Sequence, residues 1–282
     1  MSFVKTFVFL TLLFSAVPAF AFAATNPAAE VGRIANTSRN WSGYAATGGA
    51  FTGVSGSWTI PTVTESESAA ADATWVGIGG ISSSDLIQIG TQAIAQNGNV
   101  SYEAWYELLP GTSVPISLAV HAGDSITASL SQSETNEWSL SIRDNTSGQN
   151  FSEEISYDSS LSSAEWIEEM PSDQTGSIPL DNFGTVSFTN ASAIENGTPV
   201  TPAQANAFSL TMIANSNRSL ALPSSLGTDG ASFTVTRTTS ASNIAPHTVR
   251  LDGRGGFRRG GSGSEHYQLR TRSFSIRNIH LY

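Results

Sequence analysis

Cysteine is absent from this sequence of 282 residues. Its absence excludes disulfides, thiolate metal sites, thiol nucleophiles and thiol redox chemistry. A chain of this length can bury a sufficient apolar core without disulfides. Histidine is also scarce, with four residues of which three lie in the last 36 positions. We therefore expect no catalysis that depends on cysteine or histidine.

Positive charge is scarce over most of the chain. Residues 24–240 contain five arginines, no lysine and 21 acidic residues, whereas residues 241–282 contain seven arginines and two acidic residues. Binding to nucleic acid phosphates requires clustered Lys and Arg. The acidic body is therefore not expected to bind nucleic acid, and such a body is expected to tolerate acid because few carboxylates can be ion-paired.

One long apolar run is present, and it lies at the start. Residues 1–23 combine Lys5, a continuous apolar stretch and small residues in A-x-A spacing, which is typical of a secretory signal peptide. Cleavage after Ala21 or Ala23 fits this pattern. No later run is long enough to span a bilayer. We expect a secreted, extracellular protein with no membrane contact after cleavage.

The remaining sequence divides by composition. Residues 24–38 are polar and contain proline, which predicts a leader or short pro-segment. Residues 39–240 alternate apolar and polar positions in short runs such as "EWSLSIRD", separated by turn sequences such as "DNTSGQN". This pattern predicts an all-β domain, an antiparallel sandwich or barrel. Residues 241–282 form a basic Gly- and Arg-rich tail, for which we expect disorder or marginal order.

One segment is ambiguous between helix and strand. In residues 162–171, "SSAEWIEEMP", Ser162 and Glu165 have the spacing of a helical capping box and Pro171 would end the helix. As a strand, the same residues would place Glu165, Ile167 and Glu169 on one face. Propensity does not decide between the two.

Several hydrolase signatures are missing. The sequence has no G-x-S-x-G elbow, no H-E-x-x-H zinc helix and no Asp-Thr-Gly or Asp-Ser-Gly,. An enzyme with this composition would depend on carboxylates assisted by neutral donors. No metal and no cofactor is expected.

Gln88 occupies an unusual position in "LIQIGTQ". A strand through residues 86–92 would direct Ile87 and Ile89 into the core and Gln88 to the other face, beside Gly90 and Gln92. A glycine beside an outward amide leaves room for a substrate backbone. The simpler alternative is an exposed glutamine on a polar sheet face.

A series of short sequences carries a family resemblance. Between residues 39 and 240 they occur in a fixed order, and together they resemble the glutamic peptidases of family G1, the eqolisins. The resemblance implies a concanavalin-like (lectin-like) antiparallel sandwich whose concave face carries a catalytic dyad, Gln88 and Glu169, and it implies that residues 162–171 form a strand. The matching sequences are "NWSGYAA", "SWTIPTV", "TWVGIGG", "LIQIGTQ", "YEAWYELLP", "AEWIEE" and "FGTVSFTNA".

Some positions depart from the fungal pattern of that family. Gly79 stands where an acidic residue is common, Gln92 stands where an aspartate is expected, and the family's disulfides are missing. These departures favour a cysteine-free prokaryotic branch.

The resemblance implies a secreted acid endopeptidase that acts as a monomer on polypeptide substrates. Glu169 would activate water and then protonate the leaving nitrogen, while Gln88 would stabilise the oxyanion. The other candidate site residues are aromatic or acidic, and for the aromatics a place in the core is an equal alternative. A carbohydrate-binding module, or a glycosidase that uses Glu107 with Glu169, is the alternative function. The candidate substrate-binding residues are Trp41, Trp75, Trp105, Tyr106 and Glu107.

Overall fold

The computed structural model describes residues 36–64, 66–173 and 176–238. These residues form strands and turns, and they include no helix that is long and apolar enough to cross a membrane. The strands are β1 (Asn36–Ser38), β2 (Trp41–Thr47), β3 (Phe51–Thr59), β4 (Ala70–Gly79), β5 (Leu86–Gln96), β6 (Asn99–Leu108), β7 (Val114–Ile116), β8 (Ser125–Glu134), β9 (Glu137–Asp144), β10 (Asn150–Ser156), β11 (Ser163–Glu169), β12 (Ser172–Asp173), β13 (Gly176–Ser177), β14 (Thr185–Glu195), β15 (Thr198–Val200), β16 (Phe208–Ile213), β17 (Ser219–Pro223) and β18 (Phe233–Arg237).

Most of these strands belong to one sheet. Its order is β10-β9-β8-β3-β14-β18-β17-β16-β2-β11-β4-β5-β6-β7, with β1 paired to β16 and β15 paired to β14. Every pairing is antiparallel except that of β1 with β16, and β12 pairs separately with β13. The prediction of an all-β antiparallel fold is confirmed.

The sheet folds over itself so that its two halves pack face to face. The indole of Trp58 in β3 donates to Oγ1 of Thr91 in β5 at 2.9 Å, and the indole of Trp166 in β11 donates to the carbonyl of Ser55 in β3 at 2.7 Å. Because β3 is not a neighbour of β5 or β11 in the sheet, both bonds join the two halves. Between them lies the main apolar core, to which strands from both halves contribute alternate residues,.

The ambiguous segment is a strand. Residues Ser163–Glu169 form β11, which pairs with β2 on one edge and with β4 on the other. The helical alternative for residues 162–171 is wrong. Pairing on both edges satisfies the backbone groups of the segment, and this tertiary gain outweighs a local capping motif.

The predicted ends of the domain are described only in part. Residues 36–38, which were assigned to the leader, form β1 and pair with β16. The predicted signal peptide (1–23) and basic tail (241–282) lie outside the described residues. The boundaries at residues 39 and 240 stay predictions.

Candidate active site

Five neighbouring strands, β2, β11, β4, β5 and β6, carry the predicted site residues. Directly paired residues of adjacent strands point to the same side of a sheet. We call the side that bears Gln88 the site face and the opposite side the core face. The site face has three cross-strand rows, given from β2 to β6: the Gln88 row (Ala45, Glu165, Gly77, Gln88, Glu107), the Trp75 row (Gly43, Ile167, Trp75, Gly90, Trp105) and the Glu169 row (Trp41, Glu169, Ala73, Gln92, Glu103).

The two predicted dyad residues lie on the same face. Gln88 belongs to β5 and Glu169 to β11, with β4 between them and the Trp75 row separating their rows. Both side chains are fully buried. Gln88 lies two residues from Gly90 along β5, and Glu169 lies two residues from Ile167 along β11. Because strand side chains alternate with period two, both therefore point to the same side of the sheet as the Trp75 row.

Neutral donors hold the carboxylate of Glu169. Nδ2 of Asn40 donates to Oε1 at 2.9 Å, and the indole Nε1 of Trp75 donates to Oε2 at 2.9 Å. Because each donor binds a different oxygen, the two hydrogen bonds together fix the orientation of the carboxylate plane. A carboxylate fixed in this way keeps lone pairs that can accept a proton from water.

A second glutamate holds the amide of Gln88. Its Nε2 donates to Oε2 of Glu107 at 2.8 Å, and the two residues are direct cross-strand partners. A primary amide has two N–H groups, so one remains for another acceptor. The carbonyl oxygen Oε1 of Gln88 is buried and has no hydrogen-bond partner within the described residues.

Three of the predicted aromatic residues line the site face. Trp41, Trp75 and Trp105 are buried and belong to a second apolar cluster, distinct from the main core. The rings of Trp41 and Trp75 meet edge to face with centroids 4.9 Å apart. Because the Trp75 indole also binds Glu169, this cluster packs the site and orients its carboxylate.

Tyr106 lies elsewhere. It is on the core face of β6, where its ring stacks on Phe151 at a centroid distance of 6.3 Å. Its neighbours Trp105 and Glu107 point to the site face. The structure therefore places Tyr106 apart from the other candidate substrate-binding residues, on the opposite face of β6.

A cavity of about 180 Å³ adjoins the site face beside Trp41. The indole Nε1 of Trp41 is buried and has no hydrogen-bond partner within the described part of the chain. The lining of the cavity is Trp41, Gly80, Ser82, Ser83, Ser84, Leu86 and Leu109.

Glycine is required in the Trp75 row. A Cβ at Gly90 would lie 2.2 Å from the carbonyl oxygen of Thr74 and 2.6 Å from Cβ of Trp75. The close approach of β4 to β5 therefore excludes any side chain there. Strand β5 therefore has no side chain of its own on the site face between Gln88 and Gln92, and Trp75 packs against this position.

Two polar residues at the site were missed in the sequence. Asn40 precedes β2 within the matched stretch "NWSGYAA", but nothing in its local pattern indicates a contact 129 residues away. The sequence predicts the face of Gln92 and its departure from the family pattern, but not its partner. In the structure Nε2 of Gln92 donates to Oε2 of Glu103 at 2.6 Å.

Glu165 is a buried acid on the Gln88 row. Burial raises its pKa well above the ordinary value, the Asp85 carboxylate raises it further, and the nearby Ser163 hydroxyl lowers it. Neither oxygen of its carboxyl group has a hydrogen-bond partner within the described residues. Glu165 therefore keeps its proton to a higher pH than an exposed glutamate does.

Three acids form a carboxyl cluster behind the site, on the core face: Asp72, Glu168 and Asp181. Oε2 of Glu168 accepts a hydrogen bond from Thr74 at 2.7 Å. Asp72 is within hydrogen-bonding reach of both other acids, and each of the three has an oxygen without a protein donor in the described chain. A carboxyl group can donate a hydrogen bond to another only when it carries a proton, so the hydrogen bonds of Asp72 with Glu168 and Asp181 require protonated carboxyl groups,.

Burial is the main cause of the high pKa values in this cluster. It raises the pKa of Glu168 to about 8 and that of Asp181 to about 10, and it raises the pKa of Asp72 well above the ordinary value. Arg237 lowers the pKa of Asp181 but does not offset burial. Among the described residues, no group of His, Asp and Glu side chains has an arrangement that could hold a metal ion.

The sequence matches one protein family over most of the described chain. The profile of the Peptidase A4 family matches residues 39–237. Aspergillopepsin-2 of Aspergillus niger is 30% identical over 194 residues, which cover 60% of this chain and 68% of that protein. Scytalidopepsin B of Scytalidium lignicola is 32% identical over 179 residues, which cover 59% and 67%.

Solved structures match the fold as well. The crystal structure of scytalido-glutamic peptidase with a transition state analog inhibitor superimposes with a TM-score of 0.63 at 27% identity, over 71% of this chain and 98% of that chain. The crystal structure of aspergilloglutamic peptidase from Aspergillus niger gives a TM-score of 0.54 at 28% identity, over 60% and 99%.

Proposed function

The chain belongs to the Peptidase A4 family, and from this membership we propose that it is a secreted acid endopeptidase with Gln88 and Glu169 as its catalytic dyad. That it is a peptide hydrolase follows from its glutamic peptidase relatives. Because the family is one of peptidases, its match favours peptide hydrolysis over the carbohydrate-binding and glycosidase alternatives. The sandwich is proposed to be of the lectin-like type, with the site face as its concave surface.

One observation supports the dyad most directly. The buried Glu169 carboxylate is held by two neutral donors, and on the same face a buried glutamine amide is held by Glu107. Between their rows lies the Trp75 row, in which Gly90 carries no side chain and packs against Trp75. A base and an amide fixed on one face are the two components that amide hydrolysis needs.

Glu169 acts first as a general base. It takes a proton from a water molecule, which attacks the scissile carbonyl carbon, and then it passes that proton to the leaving nitrogen. The N–H of Gln88 that does not bind Glu107 donates to the developing oxyanion. Because an amide donates without being protonated, Gln88 does not itself titrate. One such donor typically contributes about 10²- to 10³-fold in rate.

Substitution of the two residues tests the dyad. Glu169→Gln and Gln88→Ala are expected to fold normally and to lose turnover of a quenched peptide at acid pH, Gln88→Ala by about 10²- to 10³-fold. Matched controls are Glu154→Gln and Gln96→Ala, whose side chains are exposed on β10 and at the end of β5. Full activity in folded Gln88→Ala or Glu169→Gln would reject the dyad. Pepstatin is expected to have no effect, since no aspartic dyad motif is present.

Export is a separate part of the proposal. Residues 1–23 are proposed to direct secretion and to be removed, and residues 24–38 to act as a leader or short pro-segment. The N-terminal sequence of the protein recovered from culture medium tests both. An N-terminus at Met1, or retention of the whole chain inside the cell, would contradict export.

A further inference from the structure

Two glutamine–glutamate pairs join β5 to β6 on the site face. Gln88 binds Glu107 at 2.8 Å and Gln92 binds Glu103 at 2.6 Å, each through its Nε2. The pairs flank Gly90, which carries no side chain. The second pair thus repeats the arrangement of the proposed catalytic glutamine four residues along the same strand.

In both pairs the glutamate fixes which way the amide faces. A carboxylate accepts hydrogen bonds and does not donate them when ionised, so it selects the NH₂ end of the amide. The carbonyl oxygens Oε1 of Gln88 and Gln92 consequently point away from the glutamates. Both are buried and have no hydrogen-bond partner within the described residues. A buried acceptor without a donor lowers stability, which is typical of a group that binds a ligand.

The sheet register brings Gln92, and not Gln88, onto the row of Glu169. Glu169 pairs with Ala73, and Ala73 pairs with Gln92. The two strands that carry them are about 10 Å apart, since adjacent strands lie about 5 Å apart. On this row only the small side chain of Ala73 lies between the two polar groups.

We propose that Gln92 is a substrate-positioning residue whose Oε1 accepts a hydrogen bond from a backbone N–H of the bound peptide. The inference rests on the proposed function, because Glu169 defines where the scissile bond lies. The role differs from that of Gln88, whose N–H stabilises the oxyanion. A contact made in both the ground state and the transition state strengthens binding and leaves the chemical step unchanged.

Removal of the amide at position 92 tests the contact. Gln92→Met keeps an unbranched side chain but no acceptor, and Gln96→Met is the matched control on the same strand, where the side chain is exposed. We expect KM to rise about tenfold with kcat nearly unchanged, as for the loss of one hydrogen bond. Tm is expected to change little, since the variant loses the hydrogen bond to Glu103 together with an unpaired buried acceptor. An unchanged KM, or a Tm that falls together with kcat, would overturn the proposal.

A binding assay separates this inference from the dyad. In the Glu169→Gln background, the Kd of an uncleaved peptide is measured with Gln92 and with Gln92→Met. A rise of about tenfold supports the contact whether or not Glu169 is the base. Turnover by Glu169→Gln would instead reject the dyad, and Kd would then be compared with a peptide whose scissile bond is replaced by a non-hydrolysable link. Equal Kd values would reject the role of Gln92.

The conservative variant adds a pH readout. In Gln92→Glu a protonated side chain at acid pH can still donate to Glu103 and accept from the substrate, so KM is expected to be close to that of the wild type. As pH rises, two carboxylates would face each other at the former hydrogen-bond distance, and KM is expected to increase. If Gln92→Glu has a KM as high as that of Gln92→Met at every pH, a side-chain acceptor at position 92 is not sufficient for substrate binding and the proposal is overturned.

Discussion

Replacing Glu168 by glutamine is expected to protect the fold at neutral pH. The Glu168 carboxyl group is buried in the carboxyl cluster, with Thr74 as its donor and Asp72, Asp181 and Glu169 as its acidic neighbours. Burial raises its pKa from 4.5 to about 8. Between these two values the folded chain retains a proton that the unfolded chain releases. The stabilisation that this proton gives is complete below pH 4.5 and is lost as pH rises to about 8.

The magnitude follows from linkage. Each pH unit in this window lowers the free energy of unfolding by about 1.4 kcal/mol for one such group. From pH 4.5 to pH 7 the loss is on the order of 3 kcal/mol, a large part of the 5–15 kcal/mol that typically stabilises a domain. Glu168→Gln removes the titration, and its amide oxygen can still accept the Thr74 hydroxyl.

Urea unfolding at pH 4 and at pH 7, followed by tryptophan fluorescence, measures the effect. The wild type is expected to lose substantially more stability between the two pH values than Glu168→Gln, by about 3 kcal/mol. Glu154→Gln, on the exposed strand β10, is the matched control and should behave as the wild type. An equal loss in Glu168→Gln and the wild type would refute the argument that this buried acid binds its proton in the folded state.

Three further substitutions and one truncation test other parts of the structure. Trp75→Phe removes a hydrogen-bond donor to Glu169 and is expected to lower kcat about tenfold. Trp166→Phe removes a hydrogen bond between the two sheet halves and is expected to lower Tm instead. A fall in Tm alone for Trp75→Phe and a fall in kcat alone for Trp166→Phe would contradict the roles given to these two indoles. Gly90→Ala is expected to lower the free energy of unfolding by about 1–3 kcal/mol because its Cβ would meet β4, and an unchanged urea midpoint would contradict this. A chain that ends at residue 243 is expected to keep its Tm and kcat/KM, and a large fall in both would show that the tail contributes to the domain.

Alternation in the sequence predicts the strands better than it predicts their partners. The all-β class followed from short alternating runs, but β11 was ambiguous because "SSAEWIEEMP" satisfies both a capping box and a strand. Its pairing with β2 and β4, which are distant in sequence, decides the outcome. Local propensity contains no information about such partners.

The site was predictable to a similar extent. Alternation along β6 already predicts that Tyr106 lies on the opposite face from Trp105 and Glu107. The contacts of Asn40 with Glu169 and of Gln92 with Glu103 depend on strand register. Register arises from the packing of a whole sheet, so a single sequence does not reveal it.

Neighbouring residues of β11 serve opposite sides of the sheet. Glu169 faces the proposed substrate, whereas Glu168 lies in the carboxyl cluster of the core, and one peptide bond separates them. A single-residue insertion or deletion in this strand would exchange the two faces and ruin both at once. The length of this segment is therefore constrained, and natural length variation should concentrate in the turns that flank it.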